Sequence, residues 1–433
     1  MIPSNEIPDY ADAVAAKVRR RLLPWLVIGW FVAYIDRFNV SFAGLQMNED
    51  LGLSAAVFGF GAGVFFVGYS LFEIPSMLLM VRVGVRRWLF RIMVTWGLVS
   101  SAMMFTQGPT SFYVLRFILG VAEAGCFPAM AFYLSQWLAP RERAAALGLL
   151  GSVAMFSGIL GAPLASALMA LDGIGGLAGW KWLFLLEGIP AIILGACLLR
   201  YLPDSPDEVS WLTVDERSWL RINAIGDVAR RPSLRGLSTV ASDARYWMWG
   251  LAFFCANASG SALRVFQPTL LQRVTGLNDF WAAALSGVPA IAGAAAIIYV
   301  GHRATRVDER QWHAAVPLFL ASVGVFLVGI TYGLVGALFV AALANVGAAA
   351  QPPLFASVSS AASGPINAVG IAFVNSIAAL GAFIGPYLVG YAFDAGIGLP
   401  MACGGAAIVM AVGGLIALSV RQQGARAALG QTV

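Results

Sequence analysis

The sequence predicts an all-α membrane protein with twelve spanning helices in two six-helix bundles. Three observations carry that reading. Of 433 residues, 59% are hydrophobic and 11% charged, with mean hydropathy +0.79, whereas soluble domains carry about 25% charged residues. Twelve apolar runs follow one another, each long enough to cross ~30 Å of hydrocarbon at ~1.5 Å per residue. One long hydrophilic stretch, 202–245, separates the first six runs from the last six. Disorder is excluded, because it requires low hydrophobicity and high charge. Strands are excluded because the runs exceed barrel-strand length and lipid satisfies no open backbone group.

The elements follow in order. Residues 1–21 form a polar N-terminal segment with Glu6, Asp9 and Asp12; this is no signal peptide, so the first run is a retained helix. The N-terminal bundle, 22–201, holds runs at 22–45, 57–80, 87–106, 110–135, 144–170 and 181–201. The linker 202–245 is rich in Asp, Glu and Arg. The C-terminal bundle, 246–420, holds runs at 246–272, 279–301, 312–332, 334–360, 366–392 and 398–420, and 421–433 is a short tail.

Charge sets the orientation. With the N-terminus inside, the cytoplasmic side holds Lys17, Arg19–Arg21, four arginines from Arg82 to Arg91, Arg141 and Arg143. It also holds Arg200 and six linker arginines, including Arg230, Arg231 and Arg235, then Arg303, Arg306, Arg310, Arg421 and Arg426. The opposite side keeps Lys181 and Arg273. By the positive-inside rule both termini are cytoplasmic, in a plasma (inner) membrane. The same loops explain the net charge of +5 without nucleic acid.

Three arginines, Arg37, Arg116 and Arg264, fall inside runs, as do Asp36, Glu73, Glu123 and Glu187. Such groups cost at least ~2.5–3.5 kcal/mol each at mid-membrane and mark interior or water-filled paths. The motif that opens at Tyr34 starts about 12 residues, ~18 Å, into the first run, and its Asp36 and Arg37 diverge by ~100° around the axis. Each therefore meets a partner on another helix. Arg116 and Glu123, seven apart, share one helix face. Two cations and two carboxylates at mid-membrane suit anion binding with proton exchange; a static ion-pair network is the plainer alternative. Glu73 shares a face with Tyr69 and precedes Pro75, so it serves either the site or backbone groups freed by the proline. Asn375 reads as a pocket residue or an interhelical hydrogen bond. Gly148, Gly151, Gly158 and Gly161 read as a close helix approach.

Several chemistries are absent. Neither lysine follows a glycine, so there is no phosphate-binding GK[ST] loop, and no HExxH exists. Cys126, Cys197, Cys255 and Cys403 are far apart and read as buried free thiols. No metal, cofactor or enzymatic activity is expected.

The motifs resemble the major facilitator superfamily, and within it the anion:cation symporter family of organic acid/proton symporters. They are Tyr34-Ile-Asp36-Arg37-Phe-Asn39, Gly68-Tyr69-Ser-Leu-Phe-Glu73-Ile-Pro75-Ser76, Arg82-Val-Gly84-Val-Arg86-Arg87-Trp88 and Arg116-Phe-Ile-Leu-Gly120-Val-Ala-Glu123-Ala-Gly125. Trp182-Leu-Phe-Leu-Leu-Glu187-Gly188-Ile-Pro190, Asn375-Ser376 and Gly385-Pro386-Tyr387 extend the match over nearly the whole chain. The loop signature lacks its usual aspartate. The resemblance implies Asp36 and Glu123 as protonation sites, Arg37 and Arg116 as anchors for a substrate carboxylate, and Tyr34, Tyr69 and Asn375 as cavity lining. Ala154-Met155 stands where sugar-acid carriers of this family place a glutamine, and Ala379 where related sequences have a second asparagine.

The expected function is a symporter importing an organic carboxylate with protons by alternating access. The partners expected are the anion, protons and the bilayer, with the chain a monomer. Arg264 is either an interface anchor or a third substrate cation. The second reading, with the apolar residues at 154 and 379, favours an aromatic or compact dicarboxylate. The alternatives are a passive anion channel, a sugar-acid or tartrate-type symporter of the same family, and a transporter-like sensor.

Overall fold

The structure, a computed structural model, describes residues 7–223, 237–307, 309–360 and 365–420. Arg230, Arg231, Arg235, Arg421, Arg426 and the 421–433 tail lie outside them. In the first half run α1 (Ile7–Asp50), α2 (Ala55–Val83), α3 (Val85–Ala102), α4 (Pro109–Glu123), α5 (Cys126–Trp137), α6 (Pro140–Met169) and α7 (Gly179–Tyr201). Two short helices follow, α8 (Val214–Asn223) and α9 (Leu237–Ser242). Then come α10 (Ala244–Thr275), α11 (Asp279–Leu285), α12 (Pro289–Val307), α13 (Gln311–Val328), α14 (Leu334–Asn345), α15 (Gln351–Ser360), α16 (Pro365–Asp394) and α17 (Leu399–Ser419).

Among the described residues, eleven helical segments are long and apolar enough to cross a membrane. The remaining predicted run is α10, a 32-residue helix, ~48 Å at 1.5 Å per residue. Its length suffices to span, but Asn257, Ser259, Ser261, Arg264 and Gln267 dilute its hydropathy. Leu71, Phe105, Phe339 and Ile408 are exposed. Water penalises such surface by about 25 cal/mol per Å²; lipid tails, as apolar as leucine, do not.

Packing divides the chain into two units: 1–53, 64–231 and 278–287 in the first, and 54–63, 232–277 and 288–433 in the second. In the first, Trp96, Trp137, Trp180, Tyr133 and Phe112 are fully buried. Helix α1 begins at Ile7, so most of the polar N-terminal segment is helical rather than a loose leader. Part of the linker packs on this unit: Trp211 stacks on Trp137, and the Arg21 guanidinium lies 5.4 Å from the Trp211 ring centre. Helix α8 opens on a reciprocal cap, with Thr213 N donating to Glu216 Oε2 and Glu216 N to Thr213 Oγ1. Glu216 also receives Lys17 Nζ at 2.5 Å. The linker carboxyl Asp204 pairs with Arg86 at 2.9 Å.

In the second unit, α10 and α16 pack backbone to backbone. A side chain on Gly385 would strike the Ala258 carbonyl, and one on Gly381 the Phe254 carbonyl. Ser261 Oγ donates to Ala382 O across the same seam at 3.2 Å. At one end of α16, Asp394 accepts both Ala55 N and Ala56 N, at 2.9 and 2.8 Å, covering the first turn of α2. Cys126, Cys255 and Cys403 are buried free thiols, and Cys197 is half-buried and free.

A candidate charge cluster in the first unit

Helix geometry drives the site. Consecutive residues point ~100° apart, so Asp36 and Arg37 leave α1 toward different neighbours. Asp36, buried, faces α3: Trp96 Nε1 donates to its Oδ2 at 2.6 Å and Ser100 Oγ donates to its Oδ1. Asn39, one turn along α1, donates Nδ2 to Oδ1 at 3.0 Å. Three donors thus converge on one buried carboxyl. Trp96, Ser100 and Asn39 were not among the site residues expected from the sequence. Trp96 and Ser100 lie four apart on α3 and so share a face, but only packing brings that face to Asp36.

Arg37 points to α4 and forms an ion pair with Glu123, whose side chain is fully buried. Its guanidinium sits among four rings, with centres 5.0 Å away for Tyr34, 5.3 Å for Tyr69, 5.5 Å for Phe65 and 5.8 Å for Trp30. Ring faces carry negative quadrupole charge and hold a desolvated cation. The expected lining residues Tyr34 and Tyr69 thus touch the expected anchor. Arg116, also buried, lies 4.9 Å from the Phe65 ring centre and interacts electrostatically with Asp36 and Glu123. Arg37 Nε and Glu123 Oε2 are buried and make no hydrogen bond among the described residues.

The fourth run is not one continuous helix. It breaks after Glu123, where Ala124 is extended and Gly125 takes φ 83°. That left-handed conformation suits glycine alone, and a side chain there would also strike Ser76 Oγ. The break frees carbonyls that lipid cannot satisfy. Ser76 Oγ donates to Ala124 O at 2.7 Å, and Arg91 Nη1 to Ala122 O at 3.4 Å. Trp88 Nε1 donates to Ser76 Oγ at 2.9 Å, holding the hydroxyl in place. The break leaves Glu123 as the last residue of α4, beside Arg37. Gly125 followed by Pro128 was the available signal.

The other expected residues lie elsewhere. Glu73 is half-buried on α2 and interacts with Tyr69. Arg264 belongs to the second unit. Its helix continues 11 residues to Thr275, ~16 Å, and the guanidinium folds back over Gly260 in the opposite direction. Asn375, on α16, is exposed. Gly148 and Gly151 do not mark a close helix approach: a side chain at either would meet nothing within 4 Å. The side chains at 154 and 155 lie outside the described ones.

Known proteins bear on this arrangement. The family model of the Major Facilitator Superfamily matches residues 26–386. A candidate tartrate transporter of Agrobacterium vitis is 42% identical over 390 residues, 89% of each chain. A quinolone resistance transporter of Acinetobacter baumannii is 36% identical over 394 residues, 88% of this chain and 89% of that one. Among solved structures, a bacterial homologue of the human lysosomal transporter Spinster superposes with TM-score 0.74 at 18% identity, covering 93% of this chain and 95% of that one. The expected twelve-helix transporter fold is therefore the observed one. With the family model spanning most of the chain, two relatives above 30% identity and the same fold in a solved transporter, the protein belongs to the Major Facilitator Superfamily and is a membrane transporter, not an enzyme.

Proposed function

We propose that this transporter imports a compact dicarboxylate together with protons, by alternating access, in the plasma (inner) membrane with both termini cytoplasmic. One observation carries the reading: Arg37, the cation a carboxylate substrate needs, is held by Glu123, a buried carboxyl that one proton neutralises. While Asp36 and Glu123 are ionised, Arg37 and Arg116 have internal counter-charges and attract an anion weakly. Protonation of the carboxyls releases the arginines, so proton and anion binding reinforce each other. At the higher pH of the cytoplasm the protons leave, the internal pairs re-form and the anion departs. The spare Arg37 Nε donor supports a fork that keeps capacity for a second acceptor.

The relative named for tartrate supports a diacid substrate, tartrate being a four-carbon diacid, and favours the tartrate-type alternative over the aromatic one. Arg264 of the second unit is included as a substrate-binding residue, its guanidinium directed back along α10 over Gly260. An aromatic diacid such as phthalate is the competing substrate within the same class.

The test is uptake of radiolabelled tartrate by proteoliposomes, with and without an inward proton gradient, competed by succinate, phthalate and matched monoacids. Gradient-dependent uptake and trans-stimulated exchange are expected. Uptake without trans-stimulation favours a passive anion channel, and competition by monoacids alone overturns the dicarboxylate assignment.

A further inference from the structure

One end of the α1–α7 pair carries a patch that the transport chemistry above does not use. Trp25 of α1 stacks on Tyr201 of α7, with ring centres 4.9 Å apart and planes 8° from parallel. At the other end of the pair Trp180 Nε1 donates to Asp50 Oδ2 at 2.7 Å, so the two helices run antiparallel. Arg21 lies one turn before Trp25, and Arg200 directly before Tyr201, so each helix brings one exposed arginine to the stack. Seven residues, ~10.5 Å, into each helix from its arginine lies an exposed isoleucine, Ile28 on α1 and Ile193 on α7. Residues seven apart share a helix face, and exposed Pro24 and Ala196 fill the two stripes. Both helices thus carry the same pattern, a cation at the head of about two turns of apolar surface.

These two cations differ from their neighbours. Lys17 pairs with Glu216, Arg19 with Glu142 and Arg86 with Asp204. Among the described residues Arg21 and Arg200 meet no carboxylate; their contacts are ring faces instead. The Arg21 guanidinium lies 5.4 Å from the Trp211 ring centre and that of Arg200 5.9 Å from the Tyr201 ring centre. A guanidinium laid on a ring keeps the N–H donors of its edge open and holds them in a fixed direction. Tryptophan and tyrosine rings belong at the depth of lipid headgroups, and the exposed isoleucines are compatible with acyl chains rather than water. A ligand matching all three features has an anionic head and long apolar tails.

We infer that α1 and α7 form a binding site for one anionic phospholipid. Its phosphodiester lies between Arg21 and Arg200 beside the Trp25–Tyr201 stack, and its acyl chains follow the stripes of Ile28 and Ile193. Basic pockets between spanning helices hold such headgroups. A zwitterionic lipid of the same chains offers no net charge to the two arginines, and a free phosphate gains nothing from the stripes. Binding at this site is independent of proton coupling and is read without transport.

The test is native mass spectrometry of the full chain in mild detergent, titrated with phosphatidylglycerol or with phosphatidylcholine of the same acyl chains. The wild-type protein should keep one phosphatidylglycerol at lipid concentrations where phosphatidylcholine is lost. Arg21→Gln and Arg200→Gln should each weaken that binding about fivefold, the worth of one basic residue at an anionic surface, and the double variant about 25-fold. Both side chains are exposed; should the double variant misfold, the single variants carry the test. Arg82→Gln with Arg87→Gln removes two other exposed cations, at the turn between α2 and α3, and should leave the binding unchanged. Soluble glycerol phosphate should not displace the lipid. Equal retention of the two lipids overturns the inference, as does full binding in the Arg21 and Arg200 variants. An equal loss in the Arg82 and Arg87 pair, which marks a diffuse basic surface, overturns it too, and so does displacement by glycerol phosphate, which marks a bare phosphate site.

Discussion

The two units of this transporter handle polarity in opposite ways. The first gathers Asp36, Arg37, Arg116, Glu123 and Glu187 from three helices, and four of the five are less than 5% exposed. The second holds α10 against α16 through glycine contacts with carbonyls, and Arg264 lies along its own helix over Gly260. Buried ion pairs stabilise a fold less than apolar packing of the same volume, so the first unit carries a cluster that stability alone does not favour. The seam of α10 and α16 shows that close apolar and small-residue packing was available to the same chain. The contrast places the buried charge cluster in the first unit and the close glycine seam in the second.

The largest effect expected is from Arg116→Ala. Removing one side of a buried charge cluster costs ~3–5 kcal/mol, so both the thermal melt and tartrate uptake should fall sharply. Arg116→Lys keeps the charge but loses the bidentate fork; wild-type affinity in that variant would show that a point charge suffices. Glu123→Gln comes next. It mimics the protonated acid without cycling, so accumulation driven by a pH gradient should vanish while counterflow survives. Normal accumulation would remove Glu123 from coupling and leave Asp36 to account for it.

Arg264→Ser tests the second unit directly. Dicarboxylate affinity should drop by ~1.5–3 kcal/mol, the worth of a charge-assisted hydrogen bond, with monoacids retained and the melt little changed. An unchanged preference would confine substrate recognition to the first unit and sharpen the contrast. The smallest effect concerns the linker. Burial opposes the charge on Glu216, yet Lys17 and the Thr213 backbone N–H outweigh it and hold the carboxyl below its ordinary value. A carboxyl lowered in the folded state contributes stability above its unfolded value, and that contribution fades as pH falls through the folded one. Hydrogen exchange in α8 should therefore rise on acidification and rise at neutral pH in Glu216→Gln. The half-exposed Lys17 limits the effect to about 0.2–1 kcal/mol.

Much of this was legible in the residues alone. Hydropathy is a local property summed over about twenty neighbours, so the long apolar helices and the all-α membrane fold could be read along the chain. The ~100° step of a helix required Asp36 and Arg37 to seek separate partners, and they do. The motifs around Arg116 and Glu123 pointed to the charges that meet.

Packing decided the rest. Sequence offers no distance between Asp36 and Trp96, 60 positions apart, or between Arg37 and Glu123, 86 positions apart. It marked the four glycines of α6 as packing sites, where two of them face open space, and it left Arg264 suspended between interface and interior. Glu187 read only as one more charge inside a run, whereas its burial comes from α3 and α1 packing against α7. Helix position follows from each residue's neighbours in the chain. The partner of a buried charge follows from which helix faces cross, and that is fixed only when all of them pack.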